Sequence, residues 1–140
     1  MQKPHRTPIQ IRFKDIDALG HVNNANHATY FELARVAYFD DIIGLDVDWN
    51  KAGFILARIE IDYKQPILLK DQIVVETSCS RIGSKSFDLT HRIIKTENGV
   101  ETLLASGLSV AVVYSYAEKK AVAVPEIWKE RLTEFEGKIA

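Results

Sequence analysis

The sequence predicts an α+β fold in which a curled antiparallel sheet of about five strands wraps one long apolar helix. Three observations carry this prediction. A single long segment, roughly residues 25–43, repeats its apolar side chains with helical period. Four downstream segments alternate apolar and polar residues, and short turn signals separate them. Consecutive strands joined by tight turns form an antiparallel sheet, and a lone greasy helix must bury its stripe against one face of it.

Each element has its own signature. Residues 8–14 alternate Ile9, Ile11 and Phe13 with polar partners, as a half-buried strand does. The stretch before it, Met1 to Pro8, reads as a short frayed arm. In the helix, Tyr30, Phe31, Ala34, Ala37, Tyr38 and Ile42 make one broad stripe. Asn23 or Asn24 suits its N-cap, and Gly44 suits the left-handed position that ends it. Ile59, Ile61 and Tyr63 mark the next strand, which Gln65-Pro66 interrupts. Ile73, Val75, Thr77 and Cys79 share a face of the following one, broken at Ile82-Gly83-Ser84. Phe87, Leu89, His91 and Ile93 mark another, and Asn98-Gly99 supplies the positive φ of a tight hairpin. A long last strand spans about residues 101–116. Pro125 then opens a short helix with Ile127, Trp128, Leu132 and Phe135 as its apolar side.

Composition narrows the function classes. With 140 residues, 46% hydrophobic and 26% charged, the chain has the makeup of one ordinary globular domain. A net charge of −1 gives no basic field for a nucleic-acid backbone. No apolar run approaches the ~18 residues of a membrane span. The single cysteine, Cys79, needs no oxidising compartment, so a cytoplasmic location is expected. Cys79 and His91 fall in phase with their strands' apolar residues, so Cys79 reads as a small core residue and His91 as an inward or interface histidine. Lys129-Glu130-Arg131 reads as a balanced surface face.

The unusual segment is Asp15-Ile16-Asp17-Ala18-Leu19-Gly20-His21-Val22-Asn23-Asn24. It sets two carboxylates, an imidazole, a glycine and two amides just before the helix. A helix start carries free amides and partial positive charge, and so can hold an oxyanion. A nearby carboxylate can act as nucleophile or base towards a carbonyl polarised there. The same residues also suit plain turn and cap chemistry. Asp15, Asp17 and His21 are not expected to bind a metal, because carboxylates two apart on a strand end seldom converge on one ion. A second candidate, Arg81-Ile82-Gly83-Ser84-Lys85-Ser86-Phe87, gathers two cations and two hydroxyls around a glycine. That suits a phosphate-bearing ligand, as it suits an ordinary solvated hairpin.

From Phe13 through Asn24, with Tyr30-Phe31-Glu32-Leu33-Ala34-Arg35 following, the chain resembles the signature of hotdog-fold acyl-CoA thioesterases, in the 4-hydroxybenzoyl-CoA thioesterase-like branch. The shared pattern is Asp-x-Asp-x-x-Gly, then a helix with an aromatic pair and Glu-x-x-Arg. The resemblance implies hydrolysis of an acyl-CoA thioester to a carboxylic acid and free CoA, with no cofactor beyond the CoA of the substrate. By it, Asp17 is the catalytic carboxylate, as nucleophile or general base. The amide at Asn24 points at the thioester oxygen, Gly20 lets the loop pass close to substrate, and Asp15 holds the loop. Tyr30 contributes to the acyl pocket. Arg81, Ser84, Lys85 and Ser86 are implied on the nucleotide-binding surface. His-Val-Asn-Asn is also similar to a stretch of acyl-carrier-protein thioesterases with Asp-x-Asn-x-His. Asp17 and His21 match it, while Leu19 holds the middle place, so His21 is implied as a positioning or base-assisting group. The resemblance further implies a homodimer or dimer of dimers, whose site joins Asp17 of one chain to residues of the other. A carrier-protein thioesterase and a non-catalytic acyl-binding hotdog domain are the rival readings.

Overall fold

The computed structural model describes residues 4–139. Strand β1 (His5–Ile9) leads through a 3₁₀ turn (Phe13–Asp15) to helix α1 (Asn26–Tyr38), which runs on as a π-helical turn (Phe39–Ile43). Strands β2 (Gly53–Tyr63), β3 (Ile73–Ile82), β4 (Ser86–Glu97), β5 (Val100–Ser115) and β6 (Lys120–Ala121) follow, then helix α2 (Glu126–Glu136). Every pairing is antiparallel, in the order β1-β3-β4-β5-β2, with the short β6 on the end of β5. This is the predicted curled sheet. Bulges at Leu56/Arg58, Cys79/Arg81 and Ile93/Ile94 bend its strands. At Gly107 a Cβ would stand 2.4 Å from the Phe31 ring and 2.2 Å from the Glu60 carbonyl, so glycine lets the helix settle onto β5.

The boundaries differ from the sequence expectation in instructive places. The strand expected over 8–14 lies at 5–9 instead, so the described part of the expected arm is paired, His5 opposite Thr77 and Ile9 opposite Ile73. Pro8 is tolerated because β1 is an edge strand. Phe13 is 82% exposed, because the chain turns where the Asp15 carboxylate accepts the Arg12 amide at 3.1 Å. Strand β2 starts six residues before Ile59, and β6 was not expected. Ile127 lies half exposed, leaving Trp128 and Leu132 as the buried residues of α2. The N-cap is Ala25, with no side-chain bond, rather than Asn23 or Asn24, because Asn23 Oδ1 is spent on the Ala25 amide at 2.9 Å in the turn ahead of α1.

Two apolar clusters fill the space between α1 and the sheet. One gathers Val22, Tyr30, Phe31, Ala34, Ile67, Ile73, Val75 and Ile93. The other gathers Tyr38, Phe39, Phe87, Leu89, Val113, Trp128 and Leu132. A buried polar stripe runs between them. Arg35 donates to Ser109 Oγ at 3.1 Å, Ser109 meets His91 Nε2 at 2.8 Å, and His91 Nδ1 meets Thr77 Oγ1 at 3.1 Å. Burial, with the Arg35 charge beside it, pushes the His91 imidazole down to about 3. A neutral ring donates from one nitrogen and accepts at the other, which fits its place in this chain of hydroxyls.

Helix α2 closes one open edge. Strand β1 reaches only as far as Thr77, and the Cys79 amide beyond it donates to Glu136 at 2.6 Å. The Tyr38 hydroxyl donates to the same carboxylate. Burial pushes the Cys79 thiol up to about 12, which makes it an inert core residue. No helix among the described residues is long and apolar enough to cross a membrane.

Candidate active site

The loop between β1 and α1 is built from its first aspartate. Asp15 is 1% exposed and accepts from the Arg12 guanidinium at 2.9 and 3.1 Å, the Arg12 amide, and the Tyr30 hydroxyl at 2.8 Å. Burial alone would raise its pKa, but these hydrogen bonds outweigh it and hold the carboxyl below its ordinary value. Its carbonyl accepts the Asn23 amide and the Asn26 side chain. Asp15 thus ties the loop to α1 at both ends.

Asp17 has a different setting. Its side chain is half-buried, and its Oδ1 accepts the Leu19 amide at 2.9 Å. Its Oδ2 lies 3.4 Å from Asn23 Nδ2. The backbone turn beneath it is closed by Asp17 N–H to His21 O and by Gly20 N–H to Asp17 O, both 3.0 Å. Gly20 has φ +86° with nothing within 4 Å of a built Cβ, so its requirement within the chain is the left-handed turn.

The Asn24 amide lies two residues before α1 and donates to no group among the described residues. Its carbonyl accepts the Tyr63 hydroxyl at 3.0 Å. No carboxylate occupies the first turn of α1, so nothing on the helix itself offsets its positive end. Beside this point opens a cleft of about 280 Å³, walled by His21, Val22, Asn24, His27, Tyr63 and the 64–66 segment.

The structure therefore brings Asp17, Gly20, His21 and Asn24 together on one loop. Tyr30 lies beneath that loop, 1% exposed, with its hydroxyl committed to Asp15 rather than turned towards the cleft. Arg81, Ser84, Lys85 and Ser86 sit at the other end of the sheet. Their hairpin is held by Gly83 N–H to Ser86 O (2.7 Å), Val113 N–H to Lys85 O and Val124 N–H to Ser84 O. Ser84, Lys85 and Arg81 are exposed, and neither cation has an ion-pair partner among the described residues. The length of β3, ten residues at about 3.3 Å each, puts roughly 30 Å between the two ends.

Sequence reasoning missed two wall residues, His27 and Tyr63. Their rings meet edge-on at 4.7 Å. His27 is 2% exposed, and burial pushes its imidazole below the ordinary value against the pull of the Asn23 and Asn24 carbonyls. Its place three residues before Tyr30 on the helical stripe was the available signal. Among the described residues, no group of three or more His, Cys, Asp or Glu side chains is arranged to hold a metal ion.

The curled antiparallel sheet around one long helix is the architecture of solved hotdog-fold thioesterases. The thioesterase-like superfamily model matches residues 11–132, and the chain belongs to that family. It is 28% identical over 131 residues to the long-chain acyl-CoA thioesterase FadM of Escherichia coli K12, spanning 91% of this chain and 96% of FadM. A Thermus thermophilus thioesterase crystallised with coenzyme A and Zn is 36% identical, with a TM-score of 0.79 and 95% of each chain covered. A 4-hydroxybenzoyl-CoA thioesterase, solved as an aspartate-to-asparagine mutant with 4-hydroxybenzoyl-CoA, shares the fold at 21% identity and a TM-score of 0.83, over 91% of this chain and 97% of the other. The protein is a thioester hydrolase of the hotdog fold.

Proposed function

We propose that this chain hydrolyses acyl-CoA thioesters with Asp17 as the reacting carboxylate and the Asn24 amide as the donor to the thioester oxygen. The observation that carries the reading is the unpartnered amide at the start of α1, on the same short loop as a half-buried carboxylate. A carbonyl lodged against that amide is polarised as its oxygen gains charge. Asp17 then adds to the carbonyl carbon, expelling the CoA thiolate and leaving an anhydride that water cleaves. Alternatively it takes a proton from the water that adds. Both routes yield carboxylic acid and CoA thiol, and neither needs a redox group. His21, on the cleft wall, is placed to orient the substrate.

The separation of the two ends supports a site shared between two chains. Strand β2 closes the sheet on one side with its outer edge unpaired among the described residues, and Ile55, Leu56 and Tyr63 on it are exposed, as are Leu33 and Val36 of α1. Two such edges joined antiparallel about a two-fold axis place the Tyr63 end of each chain beside the Gly53 end of its partner. Asp17 of one chain then faces the Ser84–Ser86 hairpin of the other, and the CoA arm spans the seam. FadM and the CoA-bound Thermus enzyme support the acyl-CoA substrate class.

Free-thiol release from a panel of CoA and carrier-protein thioesters tests the reading. Asp17→Asn is expected to lower kcat by about 10²-fold or more while melting temperature and CoA affinity hold. Wild-type turnover in that variant would remove Asp17 from the chemistry. A strict monomer by size exclusion with light scattering would remove the shared site.

A further inference from the structure

Asn23 occupies a junction that neither the turn ahead of α1 nor the reaction alone explains. Its Oδ1 accepts the Ala25 amide at 2.9 Å, and its Nδ2 is the side-chain donor to Asp17, 3.4 Å from Oδ2. Its own amide donates to the Asp15 carbonyl at 2.8 Å, and its carbonyl accepts the Asn26 amide at 2.9 Å. Two of these bonds reach the Asp15–Asp17 segment and two reach the start of α1, so Asn23 links them. We propose that Asn23 is a positioning residue, which sets the Asp17 carboxylate at a fixed place relative to the Asn24 amide.

The inference rests on the reading of Asp17 as the reacting group, and it follows from what a side-chain amide can do. Accepting the Ala25 amide ahead of α1 needs only an oxygen, which serine or aspartate also provides. Holding a carboxylate at the same time needs a donor on the same planar group, and asparagine offers both. Because Asn23 precedes Asn24 directly, a shift of its side chain moves carboxylate and amide apart. Misplacement of about 1 Å in such a pair costs on the order of 10²-fold in rate. The other groups able to bias Asp17 are few. Asp15 is engaged by Arg12, His21 shares the turn through its backbone, and His27 of α1 and Lys64 after β2 line the cleft.

Asn23→Asp separates the two duties, since it keeps the acceptor for Ala25 and turns a carboxylate towards Asp17. Asn23→Ala removes both. Steady-state thiol release across pH, with melting temperature measured for each variant, reads the difference. Asn23→Asp is expected to melt close to wild type, to lose about 10²-fold in kcat with KM within about twofold, and to shift the acid limb of its pH profile up by about one unit. Asn23→Ala is expected to lose about tenfold in kcat, which remains after correction for the folded fraction. A wild-type pH profile and kcat in Asn23→Asp, or losses in both variants that vanish at temperatures where they are folded, would overturn the role. Asp17→Asn assayed alongside separates the two failures. If it retains turnover, the catalytic reading falls and the Asn23 role with it. If it loses turnover while the Asn23 variants match wild type, Asn23 alone falls.

Discussion

The two ends of the sheet are held by different physics. Under the Asp17 loop the anchor is polar: a buried carboxylate takes a guanidinium, a backbone amide and a phenol. Under the Ser84–Ser86 hairpin the anchor is aromatic, with Trp128 edge-on to Phe39 at 5.0 Å and to Phe87 at 6.3 Å, and Phe54 against Phe39 at 4.9 Å. The buried stripe from Arg35 to Thr77 divides the clusters. On the proposed reading, directional bonds fix the loop that meets the reacting centre, whereas non-directional packing suffices for the turn that presents side chains to a flexible ligand.

The largest expected effect breaks the aromatic end. Trp128 is 3% exposed, and Trp128→Ala should cost about 3–5 kcal/mol by removing its burial and leaving a cavity. A urea melt reads the loss directly. Because the polar end keeps its own bonds, kcat measured well below the melting temperature should fall far less than stability does. A fall in kcat matching that of Asp17→Asn would mean that the two ends are not independent.

A smaller stability loss, with a larger functional one, is expected at the polar end. Asp15→Ala leaves the Tyr30 hydroxyl and the Arg12 amide without their acceptor, at a cost of about 2–3 kcal/mol. The sign of its pH dependence follows from the depressed native pKa. The contribution of Asp15 is complete above its unfolded value near 3.8 and is lost as pH falls from there through the lower folded value. Wild type should therefore lose this increment below about pH 4 in acid melts, and Asp15→Ala should not. Equal acid slopes in the two proteins would show that the buried carboxylate is not held by these bonds.

The fold was legible because its signals are periodic. The α1 stripe and the alternation in β3 and β4 depend on burial, which sequence records, and Asn98-Gly99 carries φ of 52° and 77° as a tight hairpin demands. The loop that carries Asp17 and Asn24 stood out because its residue types and order are distinctive. What stayed hidden were matters of partner and direction. Tyr30 lies on the apolar stripe whether its hydroxyl faces a substrate or Asp15, and only the turn at Arg12 decides between them. The strand expected over 8–14 failed for the same reason, since the alternation at Phe13 is overridden by a carboxylate two residues on. His27 reads as another stripe residue until Tyr63, thirty-six positions away, is folded against it.

The smallest effect sharpens the contrast without touching the fold. Lys85 is exposed, has no ion-pair partner among the described residues, and has its carbonyl fixed by the Val113 amide. Its removal should leave the melting temperature unchanged. In the proposed dimer its ammonium meets the phosphates of a CoA whose thioester lies at the partner's Asp17. Lys85→Ala should therefore raise KM for CoA esters by about three- to tenfold, an effect that shrinks with salt as a solvated charge pair does. Short thioesters without the nucleotide should be hydrolysed as by wild type, because they never reach the hairpin. If both substrate types are affected equally, the hairpin acts through the fold rather than through phosphate, and the ligand does not span the seam.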